Sequence, residues 1–142
     1  MPEIIKKISV LMPVYNCGLY VSHAIKSILD QTFSEFDFII INDGSTDNTE
    51  EVIKGFADKR IIYRKTENKG TAAALNYGLK LCKYNWVARI DSDDINVPNR
   101  LENQIRFLQE NPGYDVVSSW SVYFRAQTKI LFLLREPVEH DD

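Results

Sequence analysis

The chain has 142 residues, 44% of them hydrophobic, and a formal net charge of −3. A chain this long suffices for one domain with a core of its own, since a domain near this size buries roughly 70% of its unfolded surface; residues 1–142 read as a single unit. The acidic balance and the scatter of Lys and Arg exclude a basic nucleic-acid-binding face, so no nucleic-acid partner is expected.

Two cysteines, Cys17 and Cys82, lack the spacing of a zinc site or a disulfide framework and read as reduced structural thiols. No apolar stretch reaches the ~20 residues that span a bilayer. The expected compartment is the cytoplasm, with peripheral attachment at the inner face of a membrane left open.

In chain order, strand and helix periods alternate. Ile8 to Val14 is β-rich, and after Tyr15-Asn16 the residues Val21, Ile25, Ile28 and Leu29 mark one face of a helix. Phe36 to Ile41 reads as a buried strand stopped by Asn42-Asp43-Gly44-Ser45. Asp47, with Glu50 three residues on, predicts an N-cap for a helix carrying Val52, Ile53 and Phe56.

Ile61 to Lys65 is a third strand. Gly70 opens an Ala-rich helix whose expected inner face is Ala72, Leu75, Leu79 and Cys82. Trp86 to Ile90 is a fourth strand, and Pro98 is expected in the first turn of a helix with Leu101, Ile105 and Leu108 inward, ending at Asn111-Pro112-Gly113. Val116 to Phe124 reads as a further strand. This alternation predicts an α/β fold, Rossmann-like, with a mostly parallel sheet and helices on both faces.

Ligands of such sheets bind beyond the carboxyl ends of the strands. There the chain places Pro13, Tyr15 and Asn16 after strand one, Asp43 after strand two, and Asp91, Ser92, Asp93 and Asp94 after strand four. Two carboxylates ~4 Å apart repel by about 4 kcal/mol at an effective dielectric near 20. A hard cation, Mg²⁺ or Mn²⁺, would relieve the three acids, its shell completed by water and substrate phosphates. The plainer reading is a solvated acidic loop at the start of a helix. Asp43 can accept hydrogen bonds from a base or ribose, and Tyr15 can pack beside a base; alone, each reads more simply as a turn former and a core ring, and it is their combination that points to a ligand.

The segments PVYN, IINDGSTDNT, NKGTAAALNYG and RIDSDDINVPNRLENQIRFLQENP, in this order, closely resemble glycosyltransferase family two with the GT-A fold, from about Ile8 to Phe124. The resemblance implies metal-dependent, inverting transfer of a hexosyl group from a nucleoside-diphosphate sugar, foremost a UDP-sugar, to a saccharide or lipid-linked acceptor in polysaccharide or glycoconjugate synthesis. It implies that Pro13, Tyr15 and Asp43 line the nucleoside pocket. Asp91 and Asp93 match the DxD pair, Asp93 as direct metal ligand and Asp91 nearer the ribose and the metal's waters. Asn68, Lys69 and Gly70 fall where the family contacts base or phosphate, and Ser92 lies within the pair. Arg89 and Arg100 are candidates to assist, with surface ion pairs as the alternative.

An inverting transferase needs a general base, which the resemblance places well downstream, beyond Asp142. A fragment lacking the C-terminal acceptor part is therefore expected. The first turn has Asn16-Cys17-Gly18 in place of G-x-G-x-x-G, which argues against a dinucleotide-binding dehydrogenase; a P-loop is absent, and strand one lacks the paired acids of a phospho-receiver. The remaining alternative is a non-catalytic nucleotide-binding or assembly module that dimerises through an exposed sheet edge, with Ile130 to Leu134 as a candidate contact.

Overall fold

Alternate residues of the first two strands pack on opposite sides of one sheet, and that alternation explains the helix placement. The computed structural model describes residues 4–125 and 129–134. Strands β1 (Ile8–Val14), β2 (Phe36–Asp43), β3 (Ile61–Thr66) and β4 (Val87–Arg89) form a parallel sheet in the order β3-β2-β1-β4. Val10, Met12, Phe38 and Ile40 pack with α1 (Val21–Leu29), Ile53 of α2 (Thr49–Lys54) and α4 (Arg100–Glu110). Leu11, Ile39 and Ile41 face the other way, against Ala74 of α3 (Thr71–Leu79). Apolar runs buried on both faces are what a parallel sheet covered by helices requires.

The connections from β1 through β3 step towards one edge; the α3 connection returns across β1 to place β4 at the other. Right-handed crossovers put helices on opposite faces when the direction reverses, which is why α3, among the described helices, lies alone on its face. The reversal makes the gap between β1 and β4 a topological switch point.

Four expectations need correction. The inner face of α3 is Ala74 and Gly78, whereas Ala72 is exposed and Leu79 is 50% exposed. A Cβ on Gly78 would come within 2.3 Å of Leu11 Cδ1, so the helix lies close against the sheet there, while Leu75 and Cys82 of the expected face pack half-buried beside it. The cap of α2 differs too: Asn48 is the N-cap residue, Asp47 accepts the Thr49 N–H at 3.0 Å, and Glu50 turns to Lys54 and Lys65.

Pro98 precedes α4 instead of sitting in its first turn. Its carbonyl accepts the Thr32 N–H, and Gln31 Oε1 caps the helix by taking the Leu101 N–H at 3.0 Å. Finally, residues 116–120 are irregular, and β5 (Ser121–Arg125) pairs antiparallel with β6 (Lys129–Leu134), which contains the run 130–134. Pairing with a run so near in sequence costs little loop-closure entropy. That run is thus engaged by β5 along one side, and the four-stranded sheet ends at β3 and β4.

Candidate functional site

The strand tips converge at the switch point through a clasp between loops. Asn16 takes the left-handed conformation (φ 45°), which Asn tolerates better than most residues. Its N–H donates to Ser45 Oγ at 3.0 Å, and its side-chain oxygen accepts the Thr46 N–H at 2.8 Å and the Asp47 N–H at 3.4 Å. Cys17 N–H donates to Thr49 Oγ1 at 2.8 Å and Gly18 N–H to Asp47 Oδ2 at 3.0 Å. The loops after β1 and β2 are therefore one hydrogen-bonded unit. The Asp47 carboxyl is held below the usual carboxylate range, first by its bond from the Thr49 hydroxyl.

Asp43 fastens the third tip. It is 3% exposed, and its two carboxylate oxygens accept the backbone N–H groups of Lys69 (2.9 Å) and Gly70 (2.8 Å). Bonds to an ionised acceptor are each worth about 1.5–3 kcal/mol, enough to order a short loop. Gly44 (φ 68°) and Gly70 (φ 88°) supply the left-handed turns; a Cβ on Gly44 would meet the Asn68 backbone nitrogen at 2.8 Å.

The acidic loop after β4 closes on itself, the Asp94 N–H reaching the Asp91 carbonyl at 3.2 Å. Cys17 Sγ donates to the Ser92 carbonyl at 3.4 Å, and burial pushes the Cys17 thiol up. Arg89 Nη2 lies 3.0 Å from Asp91 Oδ1. The Asp94 carboxyl is raised, first by loss of solvent and then by the negative charges of Asp91 and Asp93. Burial likewise lowers the Arg100 guanidinium from its ordinary value, against the pull of Asp94 and Asp91.

Between these walls lies a cleft of about 360 Å³. It is lined by Pro13, Val14, Tyr15 and Asp43 from the first two strand tips, by Thr71 at the start of α3, and by Arg89, Asp91, Ser92 and Asp93 from the fourth tip. Of the ten residues read as nucleotide- or metal-binding, six thus meet there, together with Arg89. Asn16, Asn68, Lys69 and Gly70 do not line it; Asn16 builds the clasp, and the other three form the turn behind Asp43.

Thr71 was missed in the sequence. It begins α3, and only the return crossover brings that helix start beside β4. A second, more apolar groove of about 360 Å³ runs along β4 and α4, lined by Ile8, Trp86, Leu101 and Val116, but it lacks Asp91 and Asp93.

For a divalent cation the cleft offers Asp91 and the exposed Asp93, both hard oxygen donors. No group of three or more His, Cys, Asp or Glu that could hold a metal is present among the described residues. The donor set fits an ion that keeps waters and takes further oxygens from a bound ligand, as Mg²⁺ does, and does not fit a closed protein cage.

A model of the glycosyl transferase family 2 domain matches residues 9–137. The chain belongs to this family. The family 2 chain is 44% identical over 106 residues to an uncharacterised glycosyltransferase of Rickettsia bellii, covering 74% of this chain and 15% of that protein. It is 36% identical over 122 residues to the putative glycosyltransferase EpsE of Bacillus subtilis, covering 83% and 44%. It therefore spans less than half the length of these relatives.

Among solved structures, it resembles S. aureus TarS 1–349 in complex with UDP-GlcNAc, with a TM-score of 0.68 and 28% identity over 73% of this chain and 31% of that one. The mannosyltransferase PcManGT of Pyrobaculum calidifontis, solved with GDP-Man and Mn²⁺, gives a TM-score of 0.67 at 22% identity over 76% and 34%, and shares the fold. The architecture is thus the GT-A type expected, over about a third of those chains. No helix among the described residues is long and apolar enough to cross a membrane.

Proposed function

We propose that residues 1–142 form the donor-binding domain of a longer glycosyltransferase, taking a nucleoside-diphosphate sugar, foremost a UDP-sugar, for inverting hexosyl transfer to a saccharide or lipid-linked acceptor in polysaccharide or glycoconjugate synthesis. One observation carries the reading: Tyr15 and Asp43 line a single cleft together with Asp91 and Asp93 at the switch point of the sheet. The complex of TarS with UDP-GlcNAc supports the choice of donor. Enzyme placement is in the cytoplasm, against the inner face of a membrane where the acceptor is lipid-linked.

Tyr15, 49% exposed, offers a ring face for the base, and Asp43 retains lone pairs for a base or ribose donor beyond the two backbone bonds it holds. Asp91 and Asp93 would hold Mg²⁺ or Mn²⁺, which when bound neutralises charge on the departing diphosphate. Arg89, which lines the same cleft, adds positive charge beside Asp91.

Calorimetry with UDP, GDP and dTDP, each with and without Mn²⁺, tests the proposal. It expects one nucleotide to bind, more tightly with metal. Absence of binding to all three would favour an assembly module, with dimerisation through a sheet edge as its function.

A further inference from the structure

The stretch that carries the acids is gripped at both ends by one side chain. Arg100, at the start of α4, donates from Nη2 to the carbonyl of Arg89 at 3.0 Å and from Nη1 to the side-chain oxygen of Asn96. Arg89 is the last residue of β4, and Asn96 follows the acidic turn. The six residues from Ile90 to Ile95, which include Asp91 and Asp93, are therefore spanned by a single guanidinium.

Both anchors are themselves fixed. Ile90 N–H donates to the Leu11 carbonyl at 3.1 Å, which continues the β1–β4 ladder one residue past β4. Asn96 N–H donates to Ser27 Oγ of α1 at 3.1 Å, and the next carbonyl, that of Val97, accepts Gln31 Nε2 at 2.7 Å. The helix start that carries Arg100 is held by Gln31 Oε1 on the Leu101 N–H. The fork thus joins the sheet, α1 and α4 around the loop. It also places a permanent positive charge beside Asp91 and Asp94, opposing the repulsion among the acids before any ligand arrives.

We propose that Arg100 is a positioning residue for the proposed metal–diphosphate site: it sets the separation and direction of the Asp91 and Asp93 carboxylates by clamping the loop's two ends. The inference rests on the donor-site reading above. A guanidinium can hold both anchors because its N–H groups diverge in a plane; an ammonium brings charge but not that fork. Geometry and charge are therefore separable by mutation.

The test uses the whole 142-residue chain with UDP, GDP and dTDP as probes. Nucleotide affinity is measured with and without Mn²⁺, and the water-proton relaxation of bound Mn²⁺ is recorded. Arg100→Gln is expected to weaken Mn²⁺ binding on the order of tenfold, as loss of a residue orienting metal ligands does. The loss should be larger with metal than without, and Arg100→Lys should restore less than half of it on a logarithmic scale.

Where Arg100→Gln melts below the assay temperature, Asn96→Ala, which removes one arm of the clamp, is expected to give a smaller loss in the same direction. Parent-like Mn²⁺ affinity and relaxation in the folded variants, or full rescue by Arg100→Lys, would overturn the role. If the parent chain binds none of the three nucleotides, the donor-site reading fails, and this inference with it.

Discussion

Asp43 and Gly70 are joined by a hydrogen bond of 2.8 Å from the Gly70 N–H to a carboxylate oxygen, across 27 positions of sequence. The other oxygen holds Lys69, so a residue proposed to meet the nucleotide also anchors the turn into α3, which brings Thr71 to the cleft. Asp43→Asn keeps one acceptor and sets an amide N–H₂ against a backbone donor. The expected result is a loss of about 1–3 kcal/mol in stability, read by urea unfolding, together with weaker nucleotide binding. A stable variant with parent affinity would contradict both roles.

Asn16 makes a related prediction for the clasp. Replacing it with Ala removes the acceptor for Thr46 and Asp47 and places a Cβ residue at φ 45° that lacks the Asn preference. A destabilisation of ~2 kcal/mol is expected. Asn16→Gly relieves the backbone strain alone and should recover part of that loss.

Gly78 tests the close approach of α3. Alanine is the better helix former by about 1 kcal/mol, yet its Cβ would lie 2.3 Å from Leu11 Cδ1 and 3.1 Å from Ile41 Cγ1. Overpacking of this kind costs roughly 1–3 kcal/mol, so Gly78→Ala should lower the melting temperature by several degrees. A higher melting temperature would show that the helix can move away from the sheet without loss.

Acid stability should depend on Asp58. Arg60 donates to its carboxylate at 3.0 and 2.8 Å and lowers its pKa from 3.8 to about 2. Because the folded value is depressed, the stabilisation is complete above the unfolded value and is lost as pH falls through the folded one. The parent's advantage over Asp58→Asn, measured by denaturant unfolding, should therefore be constant above pH 5 and shrink between about pH 4 and pH 2. An advantage unchanged down to pH 2 would contradict the ion pair.

Sequence periodicity was sufficient for β1, β2 and α1 because their apolar side chains are large and regularly spaced. Val21, Ile25 and Ile28 are all buried, as that spacing predicts. It was half right for α3, where Leu75 and Cys82 pack against the core as expected but the fully buried residues are Ala74 and Gly78, set by proximity to the sheet. The acids after β4 were legible as a cluster following a strand, as was Asp43. Thr71 was not, since its place depends on a crossover from one sheet edge to the other. The clamp by Arg100 was equally hidden: its partners are a main-chain carbonyl and an amide side chain, which leave no charge pattern.

The central claim is that the tips of β1, β2 and β4 bound one metal–nucleotide site. Mn²⁺ broadening of backbone amide signals in the ¹H–¹⁵N spectrum, recorded with and without UDP, tests it most directly. The account predicts that added UDP concentrates the broadening on Tyr15, Thr71 and Asp91 to Asp93. Broadening centred on the acids of α2, Glu50 and Glu51, or unchanged by nucleotide, would contradict it.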